Sequence, residues 1–267
     1  MLSYLSLALY VTSLLLYVWW LVKGNRAGGR IATAALAASI VLHFCGLLER
    51  ARLSGSVPYH DLYGSMSLFA WFLAVTYLGM ERFHRQRSLA PFVLPFVIIF
   101  ELLGMLLAPL APTPSPARGP VFALHITTNI LAYAAFALSF VMGAVYIGQN
   151  RLLRERKPGL VIWQFPALEV VERMMRSSVI IGLIGLAAGT AFGLVWLERL
   201  QGRYFTLDAK EIASIIIFVV YAVYVWLSLR PGWRGARAAV LCVLSFSTVI
   251  FSYTVVNIFL SRFHRYF

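Results

Sequence analysis

Two histidines are the side chains of this sequence best suited to metal chemistry: His125, at the head of one apolar run, and His264, just beyond the last one. A neutral imidazole is a good iron ligand, and two of them at one membrane surface are what a six-coordinate haem iron requires. Arg118, Arg203, Lys210, Arg262 and Arg265 fall at the same predicted level, where cations pair with carboxylates such as propionates. Tyr204, Phe205, Tyr253 and Phe263 supply aromatic surface there. Residue type alone leaves a second reading open, in which each histidine is an ordinary interfacial polar residue.

Two ionisable groups fall inside apolar runs. His43 is either a ligand of a buried haem or a hydrogen-bond partner of a neighbouring helix. Glu101 has no intramembrane Lys or Arg to pair with, so a neutral, hydrogen-bonded acid is expected. His60 and His84 fall in predicted loops, and His84 is expected to be solvated.

These residues have to be positioned by membrane helices. Of the 267 residues 61% are hydrophobic and 12% charged, about half the charged share of a soluble domain. The apolar runs predict an all-α polytopic membrane helix bundle of about eight transmembrane helices, roughly 2–22, 31–48, 62–80, 89–108, 121–147, 177–197, 211–229 and 238–260. The whole of 1–267 reads as a single integral membrane domain. A short interfacial amphipathic helix is expected over about 166–175, with Leu168, Val171 and Met175 on its apolar face and Glu169, Glu172 and Arg173 off it.

Charge sets the orientation. Loops after the odd-numbered spans hold 15 of the 23 basic residues, so they are expected in the cytoplasm, with both termini on the outer side. The net charge of +13 therefore reads as topology and contact with anionic membrane lipid; no nucleic-acid partner is expected. Cys45 and Cys242 lie in apolar runs without CxxC spacing, which argues against a disulfide frame or thiol exchange. Met1-Leu2-Ser3-Tyr4 lacks the basic start and cleavage site of a signal peptide, so the first span is expected to be retained. No phosphate loop, HExxH or GxSxG pattern is present, and no catalytic side chain is assigned.

Taken together, four segments resemble the cytochrome c assembly superfamily of haem-handling membrane proteins. Leu42-His43-Phe44 with Val57-Pro58-Tyr59-His60-Asp61-Leu62-Tyr63-Gly64-Ser65 is similar to the family's membrane histidine and the entry to its next helix. There Asp61 and Gly64 stand for an expected Asn and Glu. Leu124-His125-Ile126, running into Leu131-Ala132-Tyr133-Ala134-Ala135-Phe136, resembles the first external histidine and its helix. The outer loop over about 198–211 is a degenerate version of the family's tryptophan-rich WWD loop. It keeps Gly202, Tyr204, Asp208, Lys210 and Glu211, while Gln201, Phe205 and Leu207 replace tryptophans and Ala209 a proline. Gly232-Trp233-Arg234-Gly235-Ala236-Arg237-Ala238-Ala239, then Val256-Asn257 and His264, resemble the last turn, last helix and second external histidine.

The resemblance implies a bacterial inner (plasma) membrane protein of c-type cytochrome assembly that holds haem b between His125 and His264. His43, Tyr204, Asp208, Arg203 and Lys210 would contribute to binding, and the loop around Asp208 would present the vinyl edge to an apocytochrome c. Attachment would use the substrate's thiols, so the chain is not expected to supply a nucleophile; another assembly subunit is a possible partner. By its offset, Trp226 holds the place of the family's second membrane histidine, and tryptophan does not ligate iron. The pattern is closest to the HemX-like branch, which is associated with control of haem-precursor synthesis. A regulatory or scaffolding subunit without haem chemistry is thus the alternative, its partner meeting the basic loops. A transporter reading has only Glu101 and His43 as interior path residues, and no inverted repeat accompanies them.

Overall fold

The computed structural model describes residues 1–24, 26–55, 62–106, 119–156, 165–206 and 208–255. Eight α-helices and no strands occur among them: α1 Leu2–Lys23, α2 Arg26–Ser54, α3 Leu62–His84, α4 Ala90–Leu106, α5 Gly119–Arg154, α6 Leu168–Gln201, α7 Ala209–Ser228 and α8 Ala236–Phe251. All but α4 are long and apolar enough to cross a membrane. At 17 residues α4 reaches about 25 Å at 1.5 Å per residue, a little under a bilayer's hydrocarbon core.

Each expected span corresponds to one helix, but the helices outrun the apolar windows. Basic residues end a hydropathy window without ending a helix, so α5 continues through Arg151 to Arg154. The expected separate amphipathic helix is the start of α6, because no glycine or proline interrupts the chain between Leu168 and the apolar run. Val171 and Met175 are buried as expected, but so is Glu172, which had been assigned off that face. His84 is the last residue of α3 and half-buried, not a solvated loop residue.

The chain divides into two compact units, residues 1–117 with 145–174, and residues 118–144 with 175–267. In the first, α1 and α2 form a hairpin closed by Gly24, whose φ of 70° ends α1 in the left-handed conformation. Gly28 and Gly29 admit the rings of Trp19 and Trp20: a Cβ at Gly28 would lie 2.6 Å from the Trp19 ring. The buried residues of α1 are Ser6, Tyr10, Ser13 and Tyr17, a polar stripe at helical spacing. Its apolar residues, among them Leu5, Leu15 and Trp19, are exposed. In water this would be inverted; in lipid the apolar side faces the solvent and the polar side finds partners inside.

In the second unit, α5 and α6 approach along a row of glycines. A Cβ at Gly182 would sit 2.4 Å from the Phe136 ring, and one at Gly189 2.5 Å from the Asn129 amide. Phe136 in turn stacks on Tyr221 of α7, with ring centroids 3.8 Å apart. Cys242 of α8 donates to Ser139 of α5 at 3.4 Å. α8 passes into a π-helical turn at residues 252–255.

Candidate functional site

His125 sits two turns into α5, half-buried. Its Nδ1 lies 2.7 Å from the carbonyl oxygen of Gly189 on α6. A carbonyl can only accept, so Nδ1 carries the proton and Nε2 is the basic nitrogen of the ring. Metal-binding histidines are commonly oriented in this way. The approach depends on the glycine row, since a Cβ at Gly193 would fall 2.6 Å from Nδ1. Asn129 donates to the His125 carbonyl at 2.7 Å and stands 3.3 Å from Nδ1.

Aromatic surface adjoins the histidine. The Phe122 ring is 6.5 Å from the imidazole and 4.8 Å from Trp196. Nearer the start of α5, Gly119, Pro120, Val121, Trp196, Arg199 and Leu200 line a cleft of about 180 Å³. Small-molecule sites enclose roughly 300–1,000 Å³, so this cleft suits a ligand's edge or acid group rather than a whole porphyrin. Arg199 provides a cation there that the sequence reading had counted only toward the charge balance.

The segment after α6 is locally ordered by its own side chains. Gly202, at φ 67°, closes α6 with its N–H on the Glu198 carbonyl at 2.7 Å. Arg203 donates to Gln201 at 3.0 Å. Glu211 accepts from the Thr206 N–H at 3.1 Å and its hydroxyl at 2.5 Å. Asp208 caps α7 by accepting from the Lys210 N–H at 2.9 Å. Tyr204 and Phe205 are left more than half exposed, which makes them an accessible aromatic pair. Lys210 points the other way. Its ammonium lies 3.3 Å from both the carbonyl and the hydroxyl of Ser252, near the rings of Tyr133 and Tyr253. It ties α7 to the π-turn of α8. His264, Arg118, Arg262, Phe263, Arg265 and His60 lie outside the described residues.

His43 belongs to the first unit, where the structure brings it to Glu101. Nε2 is 2.7 Å from Glu101 Oε2, and the side chains are 2% and 0% exposed, so the pair is shut off from solvent. Ser67 Oγ bridges them, 2.9 Å from Nε2 and 3.0 Å from Oε2. Tyr10 Oη is 3.3 Å from Nδ1. Both imidazole nitrogens therefore face protein partners. His43 and Glu101 are separate features of the sequence; the parallel passage of α2 and α4 is what joins them.

A second acid went unremarked in the sequence. Glu81, near the end of α3, is 2% exposed. It accepts from Tyr17 at 2.6 Å and Thr33 at 2.6 Å. Arg87 lies 3.5 Å away and donates to Thr33 at 3.0 Å. Its signal is the i, i+7 spacing of Tyr10 and Tyr17 on one face of α1: Tyr17 meets Glu81, and Tyr10 meets the His43 that pairs with Glu101. Trp226 does not line the interior. It is 55% exposed, with Arg230 3.9 Å above its ring, while the inward positions of α7 include Ile217, Tyr221 and Tyr224.

Comparison with known proteins finds relatives along most of the chain. A family model described as cytochrome C assembly protein matches residues 59–264. Protein HemX of Brevibacillus brevis is 23% identical over 251 residues, covering 93% of this chain and 92% of that protein. Protein HemX of Bacillus subtilis (strain 168) is 24% identical over 266 residues, 97% of this chain and 95% of that one. Cytochrome c biogenesis protein CcsA of Prochlorococcus marinus (strain MIT 9312) is 26% identical over 244 residues, 82% of this chain and 79% of that one. With the match spanning more than half of its length and seven helices fit to cross a bilayer, the chain is a multi-pass membrane protein that belongs to the cytochrome c assembly protein family.

Proposed function

We propose that this protein serves c-type cytochrome assembly in a bacterial plasma membrane by holding haem b as cargo at the outer end of its second unit, with His125 and His264 as axial ligands. The observation that carries the reading is the seating of His125, whose protonated Nδ1 is held by the Gly189 carbonyl at 2.7 Å. That contact makes Nε2 the metal-binding nitrogen before any ligand arrives. Phe122 lies beside the imidazole with Trp196 packed on it, and Tyr204 and Phe205 offer exposed rings for a porphyrin face.

The residues divide the work. Arg199 in the cleft and Arg203 in the loop pair with propionates. Asp208 and Glu211 hold the loop's shape through the cap of α7 and the Thr206 contacts. Lys210, turned toward Ser252, acts on the site by fixing α8 rather than by touching haem. The vinyl groups of the cargo accept the cysteine thiols of an apocytochrome c, and the chain contributes binding and orientation, not a nucleophile.

The test is the visible absorption spectrum of the purified protein, oxidised and dithionite-reduced. A low-spin haem b spectrum near one haem per chain is expected, lost on His125→Ala and on His264→Ala. If both variants retain full haem, the ligand assignment is wrong. Gly193→Ala should weaken haem binding by roughly 10–100-fold, as removal of a ligand's orienting partner does.

A second reading starts from the two HemX relatives, which this chain matches over 92% and 95% of their lengths. Under it, the chain is a regulatory or scaffolding membrane subunit whose partner meets the basic stretch 151–157. Well-folded protein with no Soret band, also unable to take up added haem, supports this alternative.

A further inference from the structure

The first unit contains a polar cluster that the haem reading does not use. Tyr10 and Ser6 of α1, His43 of α2, Ser67 of α3 and Glu101 of α4 converge, and Ser6, Tyr10, His43 and Glu101 are at most 1% exposed. Proton counting shows what such a group can do. With Glu101 ionised and both His43 and Tyr10 neutral, the cluster carries one negative charge in a desolvated interior, a costly state. One more proton makes it neutral overall. In the proton-poor state Nε2–H donates to Glu101 Oε2, and Nδ1 accepts from the Tyr10 hydroxyl. After uptake Nδ1 carries a proton and donates to the Tyr10 oxygen, whether the second proton rests on Nε2 or on the Glu101 carboxyl. The Tyr10–His43 bond reverses its sense, so the Tyr10 oxygen donates in one state and accepts in the other.

The cluster has a path to one end only. Ser6 Oγ lies 3.4 Å from Glu101 Oε1 and donates to the Ser3 carbonyl at 2.9 Å. The string thus runs from the first turn of α1 down to Tyr10, about 10 Å at 1.5 Å per residue. Beyond Tyr10 it stops. Leu36, Leu73, Leu94 and Val97 are at most 1% exposed and occupy the levels between Tyr10 and Tyr17. Ser13 and Ser39 there give their hydroxyl protons to the carbonyls of Ala32 and Ala35. Past this plug, Glu81 and Arg87 compensate each other. Among the described residues, other ionisable groups toward this end are the Met1 amine and Tyr4 on or before α1, Cys45, Glu49, Arg50 and Arg52 on α2 and Tyr63 on α3, all at least partly accessible.

We propose that the His43–Glu101 pair is a proton-exchange site, loaded from the water at the end of the first unit where α1 begins and insulated from the opposite end by the leucine–valine plug. In the loading step a hydronium ion gives up one proton and becomes water; the pair gains that proton, and no electrons move.

The test is infrared difference spectroscopy of the full chain in lipid vesicles, titrated between about pH 5 and 8, with ¹⁵N-histidine resonances recorded in parallel. A single step is expected in which carboxyl and imidazole signals change together with uptake of one proton. Glu101→Gln should remove the carboxyl change and uncouple the imidazole, while Tyr10→Phe should keep the step and lose its phenol component. The wild-type titration decides the matter even where a variant fails to fold. A flat wild-type carboxyl signal, or an unchanged difference spectrum in folded Glu101→Gln, overturns the proposal. Neither readout involves haem, so protein without a Soret band still tests it.

Discussion

The two units handle buried polarity in opposite ways. In the first, two interior acids are met by side chains from elsewhere in the unit: Glu101 by His43, Ser6 and Ser67, and Glu81 by Tyr17, Thr33 and Arg87. In the second, the key polar groups lean on backbone, His125 on the Gly189 carbonyl and Lys210 on that of Ser252. The contrast has a physical consequence. Side-chain partners form a closed network whose members depend on each other, whereas a carbonyl already fixed in a helix can seat a side chain without surrendering any of its own chemistry. The first arrangement suits storage of a proton, and the second suits presentation of a nitrogen to a ligand.

The sharpest way to break that contrast is to remove half of the His43–Glu101 pair. Glu101→Leu should destabilise the protein by about 3–5 kcal/mol, as loss of one partner of a buried pair does. The double variant His43→Leu/Glu101→Leu should recover most of the loss, since an apolar replacement of both removes the orphaned group. Thermal unfolding in detergent checks this; a double variant as unstable as the single one would deny the pair its closed character.

The glycine row gives the next largest effect. Gly182→Ala should cost roughly 1–3 kcal/mol, because its Cβ would meet the Phe136 ring at 2.4 Å and the core must shift. Gly148, which has nothing within 4 Å of its Cβ position, should tolerate alanine without loss. The two melts compared directly show whether close helix approach or helix propensity dominates. Asp208→Ala should remove about 1 kcal/mol through the lost cap of α7, and limited proteolysis should then cut more readily near the loop. Smallest is Arg151→Ala: its 2.8 Å pair with Glu155 is an exposed i,i+4 contact and should move the melt by at most about 0.5 kcal/mol.

How much was legible in the chain itself differs between these regions. All eight helices were readable, because lipid demands an apolar run wherever a backbone crosses it. Their ends were not: α6 begins at Leu168, where Glu169, Glu172 and Arg173 break the hydropathy signal but not the hydrogen-bond ladder. His125 was legible as a residue of interest, yet its seating on Gly189 lies 64 positions away in sequence. Arg199 could be counted but not placed, for its cleft is formed with Gly119, Pro120 and Val121 from the start of another helix. By its offset Trp226 holds the place of the family's second membrane histidine, and the rotation of α7 turns that position outward.

Composition and hydropathy alone determined that this is a membrane bundle, roughly where its described helices run, and that His43 and Glu101 lie within it, since each of these follows from the local cost of placing a side chain in lipid. The partnerships were decided only by the tertiary structure. Glu101 finds His43 across 58 residues of chain, and Glu81 finds Tyr17 across 64. Hydropathy is a property of single residues along a line, but the neutralisation of a buried charge depends on which helices pack side by side and on which faces they turn to one another.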